Sequence, residues 1–176
     1  MNIYLAPIKF SSTLLLGSLV KELSKRLSQG IIGIDLNIDV SATYSESRSQ
    51  YYSTQIIAEA MNYTQKYNGK IILLTELDLY VPVLTFVFGE AQLNGKHSII
   101  SVCRLHEEFY SGITDDRLLL SRTVKEVLHE LGHNFGLRHC DDWDCVMHSS
   151  TSIEEVDIKG EGYCKSCAKS VNGYRG

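Results

Sequence analysis

The sequence predicts an α/β fold: helices packed on a sheet, followed by an irregular C-terminal segment. Three observations lead there. Short apolar or alternating runs interleave with helix-period segments as far as Leu105. A long amphipathic stretch follows, from Arg117 to Phe135. After Gly136 no hydrophobic period remains, and four of the five cysteines fall between positions 140 and 167.

The elements follow in order. Asn2–Ile8 reads as a short strand ending at Pro7. Ser11 or Ser12 caps a helix from Thr13 to Gln29, with Leu16, Val20, Leu23 and Leu27 as its buried stripe. Gly30 ends it. Ile34, Leu36, Ile38 and Val40 alternate with polar residues, the pattern of a half-buried strand. Ser41–Tyr52 is Ser/Tyr-rich and reads as a loop. Gln55–Tyr67 is a second helix, stopped by Asn68-Gly69. Lys70–Thr75 (KIILLT) is a buried strand and Glu76–Pro82 a connector. Leu84–Gln92 is another strand, Asn94-Gly95 a hairpin turn, and His97–Leu105 pairs back. His106–Asp116 is a polar loop. Arg117–Phe135 then turns Leu120, Val124, Val127, Leu128 and Leu131 to the core.

Composition narrows the function classes. The chain has 176 residues, 44% of them hydrophobic and 22% charged, with a net charge of −4. That balance fits one globular domain and argues against disorder, coiled coil and a basic nucleic-acid interface. No run of apolar residues is long enough for a membrane span. The N-terminus lacks a basic region before Leu14–Val20, so no signal and no pro-segment are expected, and the reading is a cytoplasmic monomer. An odd number of cysteines, clumped late in the chain, points to metal rather than to a disulfide scaffold.

His129-Glu130-Leu131-Gly132-His133 is an HExxH motif near the end of the long helix. The spacing puts both imidazoles on one helix face, placed to bind a single ion. Glu130, one position round, reaches a water on that ion without being a ligand. Gly136 and His139 extend the pattern to HExxHxxGxxH. Gly136 lets the helix stop and reverse so that a third His can arrive. Three His leave tetrahedral zinc one open position. Chance produces the five-residue pattern in roughly one of 30,000 such sequences, so ordinary surface histidines are the weaker reading.

Cys140, Cys145, Cys164 and Cys167 form C-x4-C and C-x2-C pairs, which suit a closed structural zinc. An iron–sulfur cluster, buried free thiols and disulfides are the rivals. His139 and Cys140 are adjacent, so their side chains should diverge toward different ions. Cys103 reads as a small buried strand residue, and His97 and His106 as surface residues. Met147 alone would be core filling. His148 is assigned a structural or solvent role rather than a place in the pocket, and Trp143 with Asp141, Asp142 and Asp144 a solvated loop.

HELGHNFGLRHC, then Asp144-Cys145-Val146-Met147 and Cys164-Lys165-Ser166-Cys167, closely resembles the archaemetzincins, a metzincin-like family of zinc peptidases. A looser likeness reaches back to Thr75. The resemblance implies a twisted, mostly parallel sheet with an antiparallel edge strand, Leu84–Gln92, along the cleft. It implies a single catalytic domain over 1–176, with sheet and helices in 1–135 and a Met-turn and four-Cys segment in 136–176. It implies two Zn2+ per chain: a catalytic one on His129, His133 and His139, and a structural one on the four Cys. Glu130 would be the general base and Met147 the Met-turn beneath the ligands. One departure stands out: no Tyr follows Met147 within two residues. The expected activity is hydrolysis of peptide bonds in short peptides or at N-termini, with no nucleic-acid or membrane partner. The alternative is a non-catalytic zinc-binding module for protein partners, which would have no need of Glu130.

Overall fold

A computed structural model describes residues 1–176. The strands and helices, in chain order, are β1 (Asn2–Pro7), α1 (Thr13–Arg26), β2 (Ile31–Gly33), β3 (Tyr44–Ser45), β4 (Gln50–Tyr52), α2 (Ser53–Tyr63), β5 (Gly69–Thr75), β6 (Leu79–Tyr80), β7 (Gly89–Ala91), β8 (His97–Ser101), α3 (Glu108–Ser111), α4 (Asp116–Asn134), α5 (Ile153–Ile158) and α6 (Lys165–Ala168).

The main sheet runs β2-β1-β5-β8-β7, parallel except for β7, which lies antiparallel to β8 at the edge. Alternation along the central strands splits the core. Ile3, Leu5, Ile72, Leu74 and Ile100 face α1 and α4, while Ala6, Ile71, Leu73 and Ile99 face α2. A strand buried on both faces has to read as a continuous apolar run, as KIILLT does.

The Ser12 side chain caps α1 by accepting from the Leu15 N–H, and Asp115 caps α4 by accepting from Arg117 and Leu118. The α1 stripe is Leu15, Leu19 and Leu23: Leu23 is buried as expected, while Leu15 and Leu19 take the places expected of Leu16 and Val20, which are only partly buried. Leu27 is buried just past the helix, which ends at Arg26 because the Leu27 backbone turns extended.

Several expectations are corrected. The expected strand over 34–40 is not one; the pairing residues are Ile31–Gly33, and Ile38 and Val40 are buried from an irregular segment. The Ser41–Tyr52 loop holds a 3-10 turn and the two-stranded ladder of β3 and β4, with β6 beside β4. α2 stops at Tyr63. The edge strand is shorter than Leu84–Gln92: residues 82–85 turn and bend, and Val87 pairs backward with Leu79 of β6. The strand after the hairpin stops at Ser101, which leaves Cys103 half-buried in a turn outside it. The 106–116 loop contains α3, and the C-terminal segment contains α5 and α6. His97 is buried: its ring lies between Gln92 Oε1 at 3.1 Å and Thr64 Oγ1 at 2.7 Å. No helix is long and apolar enough to cross a membrane.

Candidate functional site

α4 carries the HExxH residues and ends in a Schellman turn. Gly136, at φ +90°, donates to the His133 carbonyl (2.9 Å), and Leu137 donates to Gly132 (3.0 Å). The reversal brings His139 back over the helix. The ring centroids of His139 lie 5.3 Å from His129 and 5.1 Å from His133. The ligand-capable atoms of the three imidazoles all fall within 4.8 Å of one another.

Two backbone carbonyls set the tautomers. His129 donates Nδ1–H to Val146 O at 2.8 Å, and His133 donates Nδ1–H to Leu137 O at 2.8 Å. The Nε2 atoms therefore carry lone pairs, and they face each other at 3.1 Å. Two lone pairs that close repel unless a cation lies between them, and tetrahedral zinc would set them about 3.3 Å apart. The donor set fits zinc. Burial also pushes the His129 and His133 rings down, His129 well below the usual imidazole range, which keeps them neutral and ready to ligate.

Glu130 is buried, yet it lines a cleft of about 810 Å³ with His129, His133 and His139. Burial drives its carboxyl well above the usual range; Glu126 adds to this and Lys159 opposes it. The edge strand is tight against it. A Cβ on Gly89 would come 2.7 Å from Glu130 Oε1, so only glycine leaves the carboxylate its place. Phe88 O and Gln92 N bond to β8, so by alternation Gly89 and Ala91 turn their N–H and C=O groups to the free edge.

The four cysteines converge separately, with their Sγ atoms within 4.8 Å of one another and no disulfide among them. Tetrahedral zinc thiolates lie about 3.8 Å apart, so this set also fits. The backbone N–H groups of Cys167 and Ser166 hold the Cys164 thiol down to about 7, whereas burial raises Cys145 and Cys167. His139 and Cys140 do diverge, one into each cluster. Met147 is fully buried under α4, where a Cβ on Gly132 would run into its Sδ. His148 stays out of the cleft lining; it stacks on Trp143 with centroids 3.8 Å apart and donates to Cys140 O. His106 is half-buried.

The sequence reading missed the polar end of the cleft. Lys159 and Glu126 form a buried ion pair at 2.7 Å and line the same cavity. It also missed that Glu90 of β7 accepts from Ser53 and Thr54 at the start of α2, which anchors the edge strand. Neither pair has a local period that would have revealed it.

The model for peptidase family M54 matches residues 10–173. Archaemetzincin from Methanocaldococcus jannaschii is 40% identical over 156 residues, covering 87% of this chain and 85% of that one. The crystal structure of archaemetzincin from Archaeoglobus fulgidus complexed with malonate superposes with a TM-score of 0.83 at 32% identity, over 97% of this chain and all of that one. A zinc-dependent peptidase from Methanocorpusculum labreanum superposes with a TM-score of 0.88 at 31% identity, with coverage of 97% and 100%.

Proposed function

Because this chain belongs to peptidase family M54, the archaemetzincins, and is a zinc metallopeptidase, we propose that Glu130 is its general base and that His129, His133 and His139 hold the catalytic zinc through Nε2. The four Cys hold a second, structural zinc, and residues 1–176 act as one catalytic domain, a cytoplasmic monomer working on short peptides or N-termini. Four clustered thiols with no disulfide among them suit a reducing compartment, where thiolates stay available to metal.

Bound zinc supplies Lewis acidity at the carbonyl and the water. The chain's own groups do the rest. An extended peptide adds to the free edge at Gly89 and Ala91 through main-chain hydrogen bonds. This lays its carbonyl beside Glu130. The Glu130 carboxylate accepts a proton from the attacking water as the C–O bond forms. It passes that proton to the amine nitrogen as the C–N bond breaks.

The observation that carries the reading is a buried carboxylate facing an open cleft, against an edge strand and within the imidazole cluster. A purely structural metal site has no use for such a group. The test is Glu130→Gln: two zinc per chain by elemental analysis, a wild-type melting curve, and peptide hydrolysis reduced by about 10²–10⁴. A variant that still hydrolyses near the wild-type rate would remove Glu130 from the mechanism.

A further inference from the structure

The cleft has a charged end. Lys159 is 2% exposed and Glu126 3% exposed, and both line the cavity that holds Glu130. The Lys159 ammonium has three donors and makes one hydrogen bond, to Glu126 Oε1. Glu126 Oε2 accepts none. On the lining of the same cavity, the buried Ser150 hydroxyl has no partner at all.

This end is fixed in place. The Lys159 N–H donates to Glu155 O (3.1 Å), its carbonyl accepts from the buried Lys125 ammonium (2.9 Å), and Gly160 next to it donates to Trp143 O (2.8 Å). The side chain is therefore held out toward α4 from a clamped backbone.

Its side of the cut bond follows from direction. Gly89 lies beside Glu130, and farther along the chain Asn94 donates to His133 O at 2.8 Å, so the edge strand and α4 run the same way. A peptide antiparallel to the strand passes from Ala91 to Gly89 and onward. Glu126, one turn before Glu130, lies in that onward direction.

We infer that Glu126 and Lys159 select a side-chain amide, Gln or Asn, on the substrate residue that follows the cut bond. The inference rests on the peptidase reading above. An amide oxygen accepts from Lys159 while its NH2 donates to Glu126 Oε2, which satisfies both members of the pair. A carboxylate would satisfy only Lys159 and would bring a third negative group beside Glu126 and Glu130. An apolar side chain would strip the pair of water and return no hydrogen bond, the kind of mismatch that binding sites discriminate against strongly.

The test is a set of end-blocked peptides that differ only at the residue after the cut bond, carrying Gln, Glu or Met. Gln should exceed both others by at least tenfold in kcat/KM. The zinc-loaded Glu130→Gln variant should bind them in the same order by calorimetry. The double variant Glu126→Leu/Lys159→Met replaces a buried ion pair with apolar groups of similar size, a change that folds generally tolerate, and should prefer Met over Gln. If it fails to fold, the wild-type ranking alone decides. Peptides cut or bound without that ranking overturn the inference and leave the peptidase reading standing. Peptides neither cut nor bound overturn both.

Discussion

Gly89 and Glu130 are 41 residues apart in sequence and in contact in space, which makes the glycine part of the environment of the proposed base. In Gly89→Ala the new Cβ would press on Glu130 Oε1 at 2.7 Å and on Ile99 O at 2.9 Å. Turnover should fall tenfold or more, with zinc content unchanged and a stability cost of about 1–3 kcal/mol. Unaltered kcat would mean that strand and base do not share this contact. His97 gives a pH signature. Burial, helped by Lys96, lowers its pKa to about 4 from the ordinary 6.5. The unfolded chain therefore binds a proton that the folded ring refuses. Stability is complete above about pH 6.5 and falls as the pH drops toward 4, by on the order of 3 kcal/mol. Urea titrations at several pH values should give a shallower acid slope for His97→Asn than for wild type; parallel slopes would refute this. At this scale HExxHxxGxxH was legible because helix pitch and one turn place those groups locally. Lys159 and Glu126 were not, because they lie 33 positions apart with no repeat that would pair them.

Among the elements, α5 shows how a short helix is held without a large apolar face. Lys125 on α4 donates to the carbonyls of Val156 (3.0 Å), Asp157 (2.7 Å) and Lys159 (2.9 Å), a buried cation closing the helix C-terminus. Arg122, one turn earlier, binds Asp157 through two nitrogens at 2.7 Å each. Lys125→Met keeps the bulk and removes the donors. It should lower stability by about 1–3 kcal/mol, measured by urea unfolding, and leave the far-UV helical signal of α4 nearly intact. A variant as stable as wild type would show that the carbonyls find other partners. The major elements were legible where a regular pattern meets the core: α1, α2 and α4 follow from helical period, and β1, β5 and β8 from short apolar runs buried on both faces. What failed were residues whose burial comes from loops. Ile38 and Val40 alternate like a strand yet pack from an irregular segment. Leu84–Gln92 is apolar enough for a strand, but the turn after Pro82 and the Leu79–Val87 bridge leave only three residues to pair with β8.

At the scale of the molecule, the two candidate metal centres share a backbone. His139 and Cys140 are consecutive, Cys140 N–H donates to Met147 O (3.0 Å), and His129 takes its orientation from Val146, the residue after Cys145. Helix packing alone therefore does not orient His129. Cys164→Ser should weaken zinc at both sites, with elemental analysis giving well below one zinc per chain and activity falling in step, while α4 keeps its helicity. Loss of a single zinc with full activity would make the Cys cluster independent. The edge of the sheet carries a last consequence. An open strand edge that can accept a peptide can also accept another copy of itself and begin an aggregate. Here Val87 is already taken by Leu79 and Asn94 by His133, so within β7 the free main-chain groups are those of Gly89 and Ala91. An opening that short pairs with a few residues of a passing chain and is too small to template a growing fibril, so the molecule can keep an open edge without the hazard of polymerising through it.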